Sequence, residues 1–131
     1  MRKEYADDLI FNFPDLYRKL RNQDFECDDG WYGLIKELSE SINKTSFTRN
    51  SSLTGKSYPS ILIVKQKFGI LRVTFEEEVD EEITLLLKRY SDMSKETCEI
   101  CGLKGSLQLS KKHSRNIKSL CDSCKQNTGW L

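Results

Sequence analysis

The sequence predicts an α+β fold, helices on a small antiparallel sheet, followed by a C-terminal zinc ribbon or treble-clef module. Three observations lead there. Apolar residues recur with helical period at 31–42 and again at 79–93, two stretches between them behave as strands, and two Cys-x-x-Cys pairs lie close to the C-terminus. With 131 residues, 37% hydrophobic and 31% charged, the chain has room for one domain and a small appendage. The expected division is an α+β domain over 1–97 and a zinc-binding module over 98–131.

The first segment is rich in Leu9, Ile10, Phe11, Phe13, Leu16, Tyr17, Leu20 and Phe25. Pro14 suits the first position of a helix, where its missing N–H has no partner to lose; Phe13, Leu16, Tyr17 and Leu20 would then share one stripe. A short helix is therefore predicted near 14–21. Asp28 or Asp29 can cap the next helix, in which Trp31, Leu34, Ile35, Leu38 and Ile42 recur at offsets of 0, 3, 4, 7 and 11. Residues 43–60 are polar, full of turn formers and without period, and read as a long loop. Ile61–Val64 is a continuous apolar run rich in β-branched residues. Leu71, Val73 and Phe75 alternate with Arg72 and Thr74, so two strands are predicted to turn at Lys67, Phe68 and Gly69. Val79, Ile83, Leu86, Leu87, Tyr90 and Met93 then form a second amphipathic helix, with Asp80, Glu81 and Glu82 at its start and Lys88 and Arg89 toward its end, as the helix dipole favours.

Charge divides unevenly along the chain. Residues 1–97 carry 15 Lys and Arg against 18 Asp and Glu, and residues 98–131 carry 6 against 2, giving a net +1. Four thiolates on one Zn²⁺ would add −2 to the tail, so the electrostatic case for nucleic acid is weak. No window has the roughly 18 apolar residues of a spanning helix, so a membrane role is not expected. Asp7 and Asp8 fall where an export signal would be apolar, which points to a cytoplasmic protein. There thiols stay reduced, and five cysteines with four in two tight pairs imply a metal rather than disulfides.

Cys98-Glu-Ile-Cys101 and Cys121-Asp-Ser-Cys124 are separated by 19 residues. A Cys-x-x-Cys turn brings two thiolates to one ion at about 2.3 Å, and two such turns close a tetrahedral shell with no position left for water. One structural Zn²⁺ per chain on Cys98, Cys101, Cys121 and Cys124 is the expectation. Gly102, directly after the first pair, lets backbone N–H groups turn toward sulfur. Between the pairs, 106–109 and 117–120 read as short strands joined by the basic turn Lys111-Lys112-His113-Ser114-Arg115.

Asp29-Gly30-Trp31-Tyr32-Gly33-Leu34-Ile35, Lys65-Gln66-Lys67-Phe68-Gly69-Ile70-Leu71-Arg72, Cys98-Glu-Ile-Cys101-Gly102-Leu103-Lys104-Gly105 and Leu120-Cys121-Asp122 follow in that order and span 29–124. This order resembles a widespread family of small phage and prophage proteins. Members often have histidine at the last ligand position, here Cys124. The resemblance implies a bacterial host cell and carries no activity with it.

Two surfaces stand out as candidates. The Asp28–Trp31 turn and the hairpin can form a docking surface for a protein through Asp29, Trp31, Tyr32, Lys67, Phe68 and Arg72; the plainer reading is a capped helix with a buried tryptophan beside a tight turn. The basic residues Lys104, Lys111, Lys112, Arg115, Lys118 and Lys125 can meet phosphates, but they lack interleaved aromatics. Leu107–Cys124 superficially resembles the His-Asn-His nuclease pattern through His113 and Asn116, yet the chain has no second histidine to hold a catalytic metal. Glu76–Glu78 and Asp80–Glu82 read as a solvated turn, and Cys27 as a half-buried bystander. The reading that remains is a non-enzymatic protein that binds another protein as adaptor or inhibitor, with nucleic-acid binding as the alternative.

Overall fold

The computed structural model describes residues 1–45, 58–110 and 116–129. Among them are four α-helices, a three-stranded sheet and a two-stranded sheet, so the fold is α+β as the sequence predicts. The basic turn with His113, most of the 43–60 loop and Trp130 lie outside the described residues.

The first helix, α1, spans Lys3–Asn12, earlier than the helix expected at 14–21. Pro14 explains the shift. A residue before proline is disfavoured in the helical region, and Phe13 leaves it with φ −131° and ψ 59°. Pro14 therefore ends a helix rather than opening one, and the chain continues in tight turns closed by Tyr17 N–H to the Phe13 carbonyl and Leu20 N–H to the Tyr17 carbonyl. Phe13, Leu16, Tyr17 and Leu20 are buried all the same.

A 3₁₀ turn at Asp29–Trp31 leads into α2, Tyr32–Asn43, which buries Leu34, Ile35, Leu38 and Ile42. Neither Asp28 nor Asp29 caps it with its side chain. The Asp29 carboxylate instead accepts from the Arg2 backbone N–H and Nε, at 2.6 and 2.8 Å.

Strands β1 (Phe25–Glu26), β2 (Ile61–Lys67) and β3 (Ile70–Phe75) lie in that order. β2 and β3 form the expected antiparallel hairpin; the short β1 joins β2 in parallel, so the sheet is mixed. Phe68 and Gly69 make the turn with φ 55° and 77°, the doubly left-handed conformation that matches strand twist in a two-residue hairpin. The helix after it, α3, runs Glu81–Ser94 and is capped by Asp80, whose carboxylate accepts from Ile83 N–H at 3.1 Å. α3 packs against β3 and against α2, and Leu9, Tyr17, Trp31, Ile35, Ile61, Val64 and Ile83 belong to the one buried core.

Strands β4 (Ser106–Leu109) and β5 (Ile117–Leu120) pair antiparallel at the positions the sequence predicts, and a six-residue helix, α4, covers Asp122–Asn127.

Candidate metal centre

The knuckle Cys98–Cys101 and the start of α4 meet at one point. The sulfurs of Cys98, Cys101, Cys121 and Cys124 all lie within 4.8 Å of one another. Cys101 Sγ and Cys121 Sγ are 3.7 Å apart, far beyond the ~2.05 Å of a disulfide and close to the ~3.8 Å edge of a tetrahedron with metal–sulfur bonds of about 2.3 Å. Four thiols so arranged can hold one metal ion. Knuckle, hairpin and a second pair opening a helix is the treble-clef order; a ribbon would place that pair on a second knuckle.

The backbone favours the thiolate at Cys98. At Cys101 the Leu103 N–H lowers the thiol, but burial and the sulfurs of Cys98 and Cys121 outweigh it and raise it, and Cys124 is raised by burial and the adjoining sulfurs. Burial opposes ionisation of Cys98, but N–H groups of Cys101, Cys121 and Ile100 directed at its sulfur outweigh burial and bring the thiol down to about 7. Cys121 caps α4, its sulfur accepting from Cys124 N–H at 3.4 Å. Gly102, at φ 81°, turns the chain so that its N–H reaches the Cys98 carbonyl at 2.9 Å. Cys27 takes no part. It is buried, and its thiol is pushed up to about 12 by burial and then by Glu99.

The knuckle is seated on the turn ahead of α2. Gly30 N–H donates to the Glu99 carbonyl at 2.6 Å, Asp28 N–H to Glu99 Oε2 at 3.1 Å, and Trp31 Nε1–H to the Thr97 carbonyl at 3.0 Å. Glu99 is only 2% exposed, and its Oε1 has no partner among the described residues. Burial accordingly raises its carboxyl above the usual range. A second seat lies at the hairpin, where Ser119 Oγ donates to the Gly69 carbonyl at 2.8 Å and a Cβ on Gly69 would meet Leu107.

These contacts re-sort the candidate docking residues. Trp31 is fully buried and is a core residue, not a contact. Its ring nitrogen is the one polar atom that needs a partner, and Thr97 supplies it. Asp29 is held by Arg2; Tyr32 stacks on Tyr5 at 4.3 Å between ring centroids and donates to Asp8. Lys67, Phe68 and Arg72 stay on the surface of the hairpin. Among the basic residues, Lys104 is exposed, Lys118 lies 3.7 Å from Asp28 and Lys125 donates to Gln108 at 3.0 Å; Lys111, Lys112 and Arg115 fall outside the described residues.

The structure places Leu107 and Leu109, which the sequence reading does not single out, beside the hairpin turn of the candidate Phe68. Phe68, 53% exposed, sits at the turn that Leu107 and Ser119 contact, and Leu107 and Leu109 are 44% and 54% exposed on the same face of β4. Only the alternation in Leu107-Gln108-Leu109 hinted at this. No helix of the described residues is long and apolar enough to cross a membrane. No family model, no curated protein and no solved structure matches the chain.

Proposed function

We propose that the protein is a non-enzymatic accessory protein of phage type, stabilised by one structural Zn²⁺ and docking on a protein of the host or of a rival element as adaptor or inhibitor, anti-defence roles included. Zinc is favoured over other metals by the donor set: four soft thiolates in tetrahedral array suit it, and the closed shell leaves no position for substrate or water. The observation that carries the docking reading is the character of the surface shared by the metal module and the hairpin. Its exposed members Phe68, Leu107 and Leu109 are apolar, whereas two of the module's lysines already face Asp28 and Gln108. Apolar and aromatic side chains backed by rigid elements are the usual centre of a protein interface.

Affinity capture from bacterial lysate, with and without nuclease treatment, tests this reading. A protein retained after nuclease and lost with Phe68→Asp or Leu107→Asp supports it. Capture abolished by nuclease, or by charge reversal at Lys111, Lys112 and Arg115, supports the nucleic-acid alternative and overturns it, as does cleavage of DNA or RNA by the pure protein.

A further inference from the structure

Among the described residues no strand pairs with the outer edge of β3, which borders a groove that the docking surface above does not include. In the β2–β3 register, Lys67 pairs with Ile70, Gln66 with Leu71, Lys65 with Arg72 and Val64 with Val73. With a two-residue turn at Phe68 and Gly69, the Lys67–Ile70 and Lys65–Arg72 pairs exchange the ladder hydrogen bonds, and the backbone groups of Leu71 and Val73 point the other way, off the sheet. The Leu71 amide confirms the phase: it donates to Ser94 Oγ of α3 at 2.9 Å, outside the ladder. Two residues on, the N–H and C=O of Val73 have no hydrogen-bond partner among the described residues.

Beside this edge runs a cavity of about 290 Å³ between β3 and α3. Leu38, Leu71, Val73 and Leu87 line its floor, and Arg72 and Lys88 stand on its rim. Arg72 lies directly across from Lys65, a like-charge pairing that disfavours the hairpin, and it makes no ion pair among the described residues. Among the described residues, Lys88 pairs only with the exposed Asp92, at 3.5 Å. Edge strands are ordinarily blunted by proline, a bulge, a charge or a covering element; here α3 covers the edge at Leu71 through Ser94 and the register shifts between Ile61 and Ile63, which leaves Val73 as the open position between them.

We propose that this groove binds an extended peptide segment of a partner protein, which adds as a strand to the edge of β3. One apolar side chain of the peptide enters between β3 and α3, and the acidic residues flanking it fall on the opposite face of the sheet, where Arg72 pairs with Lys65. Main-chain hydrogen bonds to Val73 supply the attachment, and the apolar pocket and the cationic Arg72–Lys65 pair the selectivity. The inference deepens the protein-binding reading and rests on it, naming the kind of segment recognised.

The test uses the metal-loaded full chain, a blocked hexapeptide of alternating Val and Glu, and its Val and Lys counterpart, followed through the backbone amide resonances. Saturable shifts at Val73, Arg72 and Lys88 with the acidic peptide are expected, with binding at least about tenfold weaker for the basic one. Val73→Pro removes the edge N–H at a position where an edge strand accepts proline, and it should abolish binding while the amide spectrum elsewhere stays native. If that variant does not fold, peptides N-methylated at alternate amides replace it: one set should lose binding and the other keep it. Equal binding of both peptides, unchanged affinity in Val73→Pro, or equal tolerance of both N-methyl sets overturns the proposal. So do amide shifts at Val73 that follow protein concentration alone, which would mean a second copy of the chain occupies the edge. Partner capture that depends on Phe68 with no response at Val73 overturns the groove alone and leaves the protein-binding reading standing.

Discussion

Gly30 has no room for a side chain because Glu99 occupies the place. Its amide donates to the Glu99 carbonyl at 2.6 Å, and a Cβ added to Gly30 would lie 2.3 Å from the Cys98 carbonyl oxygen and 2.4 Å from that of Glu99. Backbone cannot yield as a flexible side-chain tip does. The approach therefore ties the turn ahead of α2 to the metal knuckle through the smallest residue available.

Gly30→Ala should lower stability by about 3 kcal/mol, at the upper end of overpacking, because the knuckle must shift to admit one methyl group. Gly33→Ala is the control. Nothing among the described residues lies within 4 Å of a Cβ there, and the residue is inside α2, so alanine should add roughly 0.5–1 kcal/mol. Denaturant unfolding of the two variants should move in opposite directions.

Metal content separates the cysteines. Protein purified without added metal should carry about one zinc per chain; Cys27→Ser should leave that figure unchanged, and Cys121→Ser should lower it. Retention of a full equivalent in Cys121→Ser would overturn the ligand assignment. Protons compete with metal for thiolates, so the affinity should fall as the solution is acidified, which a competition titration with a coloured chelator reads directly.

Trp31 joins the body of the protein to the knuckle by one hydrogen bond and a large buried surface. Trp31→Phe keeps most of the surface and leaves the Thr97 carbonyl without its donor, at about 1–2 kcal/mol. Trp31→Ala opens a cavity as well and should lose about 3–5 kcal/mol. Thermal unfolding monitored by circular dichroism measures both.

The Asp8, Tyr32 and Lys36 cluster sets a pH dependence. A hydrogen bond from Tyr32, and after it Lys36, hold the Asp8 carboxyl below the usual carboxylate range. The folded value is depressed, so the contribution is present above the unfolded value of about 3.9 and is lost as pH falls through the folded one. In Asp8→Asn, stability should fall less steeply on acidification in that window. Identical acid limbs for the two proteins would refute the assignment.

The helices 31–42 and 79–93, both strands of each hairpin and the four cysteines were legible in the chain because each is encoded within a few residues. Helical and strand periods, a glycine at the turn and a two-residue cysteine spacing are local patterns. The first helix was misplaced because Pro14 supports two opposite readings, opening a helix or ending one. The backbone of Phe13, out of the helical region ahead of the proline, shows which one holds. The parallel pairing of β1 with β2 escaped for a related reason, a two-residue strand having no period to read.

The sequence by itself thus determined which residues can ligate a metal, the two long helices and the strands of both hairpins. Tertiary structure alone decided what the Asp28–Trp31 turn is for. Its acids and tryptophan look like a binding turn in the linear chain. In the fold, Gly30 and Trp31 are spent on the carbonyls of Glu99 and Thr97, nearly seventy residues away in sequence. Conversely, the position of Val73 on an outer strand of the sheet and the exposed face of Leu107 and Leu109 arise from strand order and register. Those are properties of how segments meet, and a chain read one window at a time does not contain them.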